Sequence, residues 1–341
     1  MQRRHFLTSS TAAAAVLALP SVRAQTTGRL TPLKFTLDFR VTGQTSPFFL
    51  AQNKGYYRDE GLDVSIDVGA GSVASITRIA SGVYQMGLGD ISSLIEFQAT
   101  NPPLVQAVYQ YYNRAPFAII GRKDRGITTD FASLRGKRIA AAAVESTRRA
   151  WPMVANRLRQ GPDLFQWVTT DFSARDNVMV RGDVDGATYF HDSAVSLFAR
   201  MNPQELSVLR YTDAGVNLYG NAILASNAMV TQQPQVVAAF LRASNRAILE
   251  TLSDPLPAIA ATKAREPIID ERLELERWKL TAQYVAAPDT RSHGLGDVRK
   301  YTLEQQMDQV VEVFGLKTRP SVEAVFNRAM LPAAAERRVN A

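Results

Sequence analysis

The chain has 341 residues, a formal net charge of +7 and no cysteine. The lack of cysteine excludes disulfides, thiolate metal sites, a cysteine nucleophile and a lipid anchor attached through cysteine. The charge is only mildly basic and comes without Lys/Arg blocks or aromatic-basic repeats, which argues against a nucleic-acid partner. Because the length exceeds what one hydrophobic core usually serves, we expect two lobes.

The first 24 residues are typical of an export signal. Arg3 and Arg4 precede an apolar run over residues 12–19, and Ala24 closes a small-residue cleavage site. The apolar run is much shorter than the roughly 20 residues that cross a bilayer as a helix. We therefore predict cleavage near Ala24 and a periplasmic location. The paired arginines followed by Phe6 and Leu7 indicate the twin-arginine type, with an ordinary secretory signal as the alternative.

From residue 33 onward, short apolar runs alternate with amphipathic segments of helix length. This alternation predicts an α/β lobe with a largely parallel sheet. The predicted strands cover residues 33–39, 63–68, 85–88 and 104–109, and the predicted helices cover residues 47–57, 72–80 and 91–99.

A second cycle of strands and helices predicts a second α/β lobe over residues 121–223. A strand at residues 221–225 is then followed only by predicted helices, at 233–252, 256–263, 270–284, 303–314 and 321–330. Their apolar stripes need a sheet to pack on, so we assign residues 33–120 and 224–335 to lobe 1. Chain crossings near residues 117–122 and 220–226 would form a hinge.

The first predicted strand ends in a polar loop that is a candidate ligand site. Ligands of open α/β sheets bind at the carboxyl ends of strands. The candidate residues are Phe39, Arg40, Thr42, Gln44 and Thr45.

Two further strand ends in lobe 1 lead into helices. Gly71 and Ser72 precede a helix whose first turn favours an anion, although a tight turn with Ser72 as N-cap explains the same sequence. Asp90 begins the next helix, where it is a ligand contact or, more simply, an N-cap.

The second lobe offers two candidate segments. Glu145, Ser146 and Thr147 open a helix; Ser146 is the natural N-cap, and the carboxylate of Glu145 suits an amine or a ring N–H. Tyr189 and His191 follow a strand and offer an apolar wall with polar tips.

Neither a metal, a cofactor nor a catalytic residue is predicted. The pair Asp183 and Asp185 has metal-like spacing, but a turn uses the same residues. No nucleophile elbow or glycine-rich phosphate loop accompanies His191 and Asp192.

Several segments resemble the NMT1/THI5-like group of solute-binding proteins, which includes sulfonate, taurine, nitrate and thiamine-precursor binders of ABC importers. The matching segments include Leu37-Asp38-Phe39, Phe49-Leu50-Ala51, Lys54-Gly55-Tyr56-Tyr57 and Glu60-Gly61-Leu62-Asp63-Val64. The resemblance implies the α/β type II periplasmic-binding-protein fold: two α/β lobes joined by a two-stranded hinge, with a helical C-terminal tail.

The same resemblance implies a monomeric periplasmic receptor that delivers a small-molecule solute to an ABC permease in the inner membrane. Arg40 favours an anion and Glu145 an additional ligand donor, so we expect an anionic or zwitterionic organic solute. A thiamine-pyrimidine-precursor binder and a sensor for a membrane-bound regulator are alternatives. Pyrimidine binders tend to carry Asn and His where Thr42, Gln44 and Thr45 stand here. Relatives that make the thiamine pyrimidine need a cysteine-rich motif, so we predict that the chain is not an enzyme.

Overall fold

The structure, a computed structural model, describes residues 29–288 and 290–339. The predicted export signal, including Arg3, Arg4 and Ala24, lies outside the described residues. The described strands are β1 (Thr31–Thr36), β2 (Leu62–Asp67), β3 (Met86–Asp90), β4 (Val105–Gln110), β5 (Phe117–Arg122), β6 (Arg138–Ala141), β7 (Gln166–Thr169), β8 (Gly186–Phe190), β9 (Leu206–Arg210) and β10 (Asn221–Ser226).

Helices cover both sheets and form most of the C-terminal part. They are α1 (Ser46–Asn53), α2 (Tyr56–Asp59), α3 (Ser72–Ala80), α4 (Ile91–Thr100), α5 (Ser146–Arg157), α6 (Arg175–Arg181), α7 (Val195–Phe198), α8 (Asn227–Gln232), α9 (Pro234–Ser253), α10 (Leu256–Arg265), α11 (Glu271–Val285), α12 (Thr290–His293), α13 (Lys300–Val313) and α14 (Val322–Val325).

The strands form two five-stranded sheets with the same pattern. The first has the order β2-β1-β3-β10-β4 and the second the order β7-β6-β8-β5-β9. In each sheet one strand runs antiparallel to its neighbours: β10 in the first sheet, to which the chain returns after the second sheet, and β5 in the second. Each sheet therefore exposes the carboxyl ends of its parallel strands at one edge, where a ligand site is expected.

Two segments connect the sheets, residues 111–116 and 211–220. They run side by side, since the Tyr112 N–H donates to the Asn221 carbonyl at 2.8 Å and the Gly220 N–H to the Tyr112 carbonyl at 3.0 Å. The crossings predicted at 117–122 and 220–226 are wrong by a few residues, because those residues pair within the sheets as β5 and β10. We propose that the lobes divide in these connecting segments.

The long helix α9 packs against the first sheet through its apolar stripe. The Phe240 ring lies 4.9 Å from the Phe35 ring and stacks on Tyr57 at 5.1 Å, and Val237 and Ile248 are fully buried. Burying an aliphatic or aromatic side chain of this size contributes about 1.5–3 kcal/mol. This packing attaches the C-terminal helices to the sheet that carries the first polar loop.

Candidate ligand-binding site

A cavity lies between the two sheets, with about 580 Å³ of empty space when the part open to solvent is included. Loops that follow β1, β2, β6, β7 and β8 reach it, together with β3 and the connecting segments. It is lined by Asp38, Phe39, Arg40, Gln44, Thr45, Gly71, Ser72, Leu88, Tyr111, Tyr112, Glu145, Ser146, Phe172, Arg175, Phe190, Ser193 and Asn221.

The cavity brings together most of the residues proposed from sequence. Those that line it are Phe39, Arg40, Gln44, Thr45, Gly71, Ser72, Glu145 and Ser146, whereas Thr42, Asp90, Thr147, Tyr189 and His191 lie outside its lining.

The loops of the two sheets touch across the cavity. The Ser146 hydroxyl donates to the Ser72 hydroxyl at 3.2 Å, and the Phe39 and Phe172 rings meet edge to face with centroids 5.0 Å apart. Beyond these contacts, Arg149 on α5 pairs with Glu96 on α4. The structure is therefore a closed arrangement of the two lobes.

The predicted N-cap roles of Ser72 and Ser146 are wrong. Each serine is the first residue of its helix, and the capping positions belong to Gly71 and Glu145. Gly71 has φ 105°, a backbone conformation that favours glycine, and it occupies the capping position while α3 begins at Ser72. Both hydroxyls are therefore free to meet across the cavity.

Glu145 has a protein partner, which corrects its predicted role as an acceptor for a ligand amine. Its Oε1 accepts from Arg175 Nη1 at 3.2 Å, and its Oε2 accepts from the Ala142 N–H at 3.1 Å. Burial raises the pKa of Glu145, and the charge of Arg175 opposes that rise. The carboxylate thus serves to hold Arg175 in the cavity wall.

Arg175 retains unused donors. It is 4% exposed, and its guanidinium lies 4.0 Å above the Tyr189 ring. Within the described part of the chain only Nη1 bonds to an oxygen, and the buried Nε has no hydrogen-bond partner. An anionic group that enters the cavity can accept from this guanidinium with charge-assisted hydrogen bonds.

Arg40 contributes a second cation from the opposite lobe. Its side chain is exposed at the cavity and lies over the Phe39 ring, with 4.9 Å from Cζ to the ring centroid. Partial burial lowers the pKa of Arg40, and the charges of Arg277 and Arg175 lower it further. Among the described residues Arg40 forms neither an ion pair nor a hydrogen bond.

Asp38 contributes a carboxyl group to the lining of the same cavity. Its Oδ2 accepts from Asn221 Nδ2 at 2.6 Å, and burial raises the pKa of Asp38 to about 6, opposed mainly by that hydrogen bond. The other amide atom, Asn221 Oδ1, is buried without a partner in the described structure. Asp38 and Asn221 can therefore accept hydrogen bonds from a ligand's N–H or O–H group.

The hinge side of the cavity is closed by a polar network around Asp192. Its carboxylate accepts from Gln44 Nε2 at 2.7 Å, from the Tyr112 hydroxyl at 2.6 Å and from the Thr281 hydroxyl at 2.9 Å. These donors come from the first polar loop, the connecting segment and α11. Burial raises the pKa of Asp192, and the three hydrogen bonds oppose that rise.

Helix α11 holds the loops of both lobes in place. Glu274 accepts from the Gly43 N–H at 2.5 Å and from Arg277 Nε at 2.8 Å. Arg277 Nη1 donates to the carbonyls of Asp192 and Ser193 at 3.2 and 2.9 Å. A Cβ atom at Gly43 would collide with the Glu274 carbonyl, so glycine permits this close approach.

Two predicted residues outside the lining have roles within their own loops. Thr42 donates to Gln44 Oε1 at 3.2 Å. Asp90 accepts from the Ser93 N–H at 3.1 Å and is the N-cap of α4, the simpler of its two predicted roles. Burial raises the pKa of Asp90 to about 7.

The remaining three lie behind the cavity wall. Tyr189 donates to Asp176 at 2.8 Å and supports Arg175 with its ring. His191 Nδ1 lies 2.8 Å from the Tyr284 hydroxyl, and burial lowers the pKa of His191 to about 4. Thr147 donates to the Tyr189 carbonyl at 3.4 Å.

Some lining residues were not proposed from sequence: Asp38, Leu88, Tyr111, Tyr112, Phe172, Arg175, Phe190, Ser193 and Asn221. Phe172 and Arg175 could have been proposed from the sequence, because they follow the end of strand β7 in the second sheet. The ion pair of Arg175 with Glu145 forms only on folding and has no signature in the local sequence.

Neither a membrane span nor a metal cluster is found where the chain is described. Within residues 29–288 and 290–339, no helix is both long enough and apolar enough to cross a bilayer. The same residues contain no group of three or more His, Cys, Asp or Glu side chains suited to a metal ion.

The two sheets, their crossings and the enclosed cavity define the type II periplasmic-binding-protein fold, as predicted. An alkanesulfonate-binding protein, SsuA from Xanthomonas axonopodis pv. citri bound to MOPS, has a similar structure with a TM-score of 0.67. It is 14% identical, and the similarity covers 88% of this chain and 99% of that one. A family model described as NMT1/THI5 like matches residues 42–258, so the chain belongs to that family and the resemblance is confirmed.

Curated relatives of known role fall into two kinds. Riboflavin-binding protein RibY from Chloroflexus aurantiacus is 25% identical over 344 residues, which cover 95% of this chain and 92% of that protein. A 4-amino-5-hydroxymethyl-2-methylpyrimidine phosphate synthase from Aspergillus parasiticus is 24% identical over 257 residues, with 70% and 71% covered.

The synthases contradict the prediction that the chain is not an enzyme. Several further relatives carry the same enzyme name, including proteins of Saccharomyces cerevisiae and Schizosaccharomyces pombe. The prediction rested on a cysteine-rich motif that this chain lacks, but a missing motif cannot exclude activity in a family that contains both binders and enzymes.

Proposed function

We propose that the protein is a periplasmic solute-binding protein of an ABC importer that captures a small organic anion. The observation that carries the proposal is the pair of arginines, Arg40 and Arg175, which enter one cavity from opposite lobes. Both have N–H donors without an oxygen partner among the described residues. Asp38 nearby would accept a donor group of a zwitterionic solute.

The arrangement of charge links binding to closure. Arg40 and Arg175 carry the same charge and line one cavity, so they repel each other in the closed form. An anion between them replaces this repulsion with two attractions, so it binds the closed form better than an open one and shifts the population toward it. Hinge closure of this kind is how two-lobed receptors respond to ligands.

The available contacts are sufficient for a scavenging receptor. Micromolar affinity corresponds to about −8.2 kcal/mol. Hydrogen bonds to charged groups contribute about 1.5–3 kcal/mol each, and apolar burial against the cavity's rings adds to them. The alkanesulfonate-binding relative supports an anionic solute, and the riboflavin-binding relative supports an organic ring.

The predicted export signal supports the periplasmic location and, with it, the delivery of the solute to a permease. A protein exported to the periplasm, acting as a monomer, would present its closed form to a permease in the inner membrane. Replacing Arg3 and Arg4 by lysines should stop export if the signal is of the twin-arginine type, and immunoblots of periplasmic fractions would measure this.

Calorimetry with carboxylates, sulfonates and their uncharged amide analogues tests the anion proposal. We expect the charged compounds to bind and the amides to bind at least about tenfold more weakly. Arg40→Ala should weaken anion binding without lowering the melting temperature. Arg58→Ala, which replaces an exposed arginine on α2 outside the cavity lining, is the matched control. Equal binding of acids and amides would contradict the proposal.

A pyrimidine-related role is the second candidate, favoured by the synthase relatives. The purified protein would then bind the thiamine pyrimidine or form its phosphate. Native mass spectrometry of protein purified from its own cells would identify a retained ligand, and product analysis would detect turnover. A retained pyrimidine would favour this candidate over an organic acid.

A further inference from the structure

Four side chains form a continuous stack across the cavity. Arg40 lies over Phe39 at 4.9 Å, Phe39 meets Phe172 at 5.0 Å with ring planes at 74°, and Arg175 lies over Phe172 at 5.4 Å. Phe39 and Arg40 follow β1 in the first sheet, whereas Phe172 and Arg175 follow β7 in the second. Each lobe thus contributes one ring and one cation, in the same order from the middle outward.

Packing of a core does not account for the two phenylalanines. Both are only partly buried, and neither belongs to the hydrophobic clusters of the described residues or packs against them. Their rings instead contact each other between the lobes, where closure brings them together. Large apolar side chains held at a cleft rather than in a core are typical of ligand sites.

The stack has complementary chemistry for one class of molecule. Aromatic rings prefer edge-to-face or offset contacts with one another, and guanidinium groups stack on ring faces. A ring that packs against Phe39 and Phe172 at the cavity adds ring contacts while the contact between the two phenylalanines is kept. An acidic group on that ring can accept hydrogen bonds from the unpaired donors of Arg175 or Arg40.

We infer that the solute is an aromatic acid, with its ring packed against Phe39 and Phe172 and its carboxylate or sulfonate at the unpaired donors of Arg175 or Arg40. This inference rests on the proposed function and narrows it, because an aliphatic acid satisfies the arginines but makes no ring-to-ring contact. Leu88 and Phe190, also in the lining, extend the apolar wall around such a ring.

Calorimetry with matched pairs of acids tests the inference. Benzoate is compared with cyclohexanecarboxylate, and benzenesulfonate with hexanesulfonate, so that charge and carbon number are equal within each pair. We expect the aromatic member of each pair to bind about five- to tenfold more tightly. Equal affinities within both pairs would overturn the inference and leave the anion proposal standing. Binding of neither member of either pair would overturn the proposed function as well.

Leucine variants test whether the two rings are responsible. In Phe39→Leu and Phe172→Leu the preference for the aromatic member should disappear, because affinity for the aromatic member falls more than affinity for the aliphatic member. Melting temperatures should stay unchanged, since the rings lie outside the cores. Phe97→Leu, on α4 and outside the cavity lining, is the control and should keep the preference. A preserved preference in both cavity variants would overturn the inference.

Discussion

Arg277, on the hinge side of the cavity, and Arg175, in its wall, are buried to the same extent but differ in their partners. Each is 4% exposed and each pairs with a glutamate, Glu274 or Glu145. Arg277 uses every nitrogen: Nε and Nη2 donate to Glu274, and Nη1 donates to two backbone carbonyls. Within the described chain Arg175 uses only Nη1.

This difference separates a structural ion pair from a recognition site. A buried polar group with all its partners stabilises one arrangement of the chain, whereas unused buried donors cost free energy that a ligand can recover. The hinge-side network therefore holds the loops at 42–46 and 191–193 in place. In the cavity wall, Arg175 has donors that a ligand acceptor can use. The following predictions test this distinction, from the largest expected effect to the smallest.

Removing the hinge-side arginine should cost the most stability. In Arg277→Met the carboxylate of Glu274 is left buried without its cation and two carbonyls lose their donor. Breaking a buried pair in this way costs about 3–5 kcal/mol. Urea unfolding measures the loss, and the double variant Arg277→Met/Glu274→Gln should recover part of it. A loss below about 1 kcal/mol would remove the distinction between the two arginines.

How far the fold could be predicted depends on burial. The alternation of apolar and amphipathic segments predicted the α/β class because buried strands and helix faces need apolar residues. Local backbone geometry was less visible. The helix predicted at 47–57 is two helices, α1 and α2, because Gly55 takes φ 75° between them. The crossings were predicted several residues too far toward the C-terminus, because the apolar runs of β5 and β10 do not reveal where strand pairing begins.

Local sequence signals predicted many of the cavity residues, but they did not predict contacts between residues that are distant in sequence. The positions of Phe39, Arg40, Gln44 and Glu145 at or after strand ends predicted them as neighbours of one site, because strand ends share an edge. The sequence contains no sign that Glu145 meets a guanidinium from the loop after β7. The carboxylate of Glu145 was therefore interpreted as a ligand contact, whereas it pairs with Arg175 and holds that guanidinium in the cavity wall.

Asp90 tests whether a missing partner always marks a ligand site. Its Oδ2 is buried without a partner in the described structure, yet it lies outside the cavity lining. Burial raises the pKa of Asp90 from 3.8 to about 7, so the folded state binds the proton more tightly than the unfolded state. The contribution of Asp90 to the free energy of unfolding is therefore greatest below about pH 4 and is lost as the pH rises through about 7.

Asp90→Asn keeps an oxygen for the Ser93 N–H and removes the charge. We expect the variant to exceed the wild type at pH 8 by up to roughly 4 kcal/mol in free energy of unfolding, and to equal it near pH 4. Denaturant unfolding at both pH values measures the difference. A variant less stable than the wild type at pH 8 would mean that the ionised carboxylate has a partner, such as a bound ligand group.

Replacement of Arg175 should affect binding more than any other change in the cavity wall. Arg175→Met removes the charge-assisted hydrogen bonds to the anion, and affinity should fall by about 10- to 100-fold in calorimetry. Since Glu145 would then be unpaired, the double variant Arg175→Met/Glu145→Gln is the control for folding. It should regain stability but not affinity. If the double variant bound the anion normally, the unused donors of Arg175 would have no role in recognition.

The pair of Arg149 and Glu96 joins the lobes beside the cavity and should matter least. Its side chains are 31% and 24% exposed, so solvent screens it and its contribution is at most about 1 kcal/mol. Arg149→Ala should lower ligand affinity less than about fivefold, and the effect should vanish in 1 M NaCl, where screening acts within about 3 Å. A tenfold or larger loss that persists in high salt would mean that this pair, rather than an anion between Arg40 and Arg175, holds the closed form together. The unused donors in the cavity would then be a consequence of closure and not its cause.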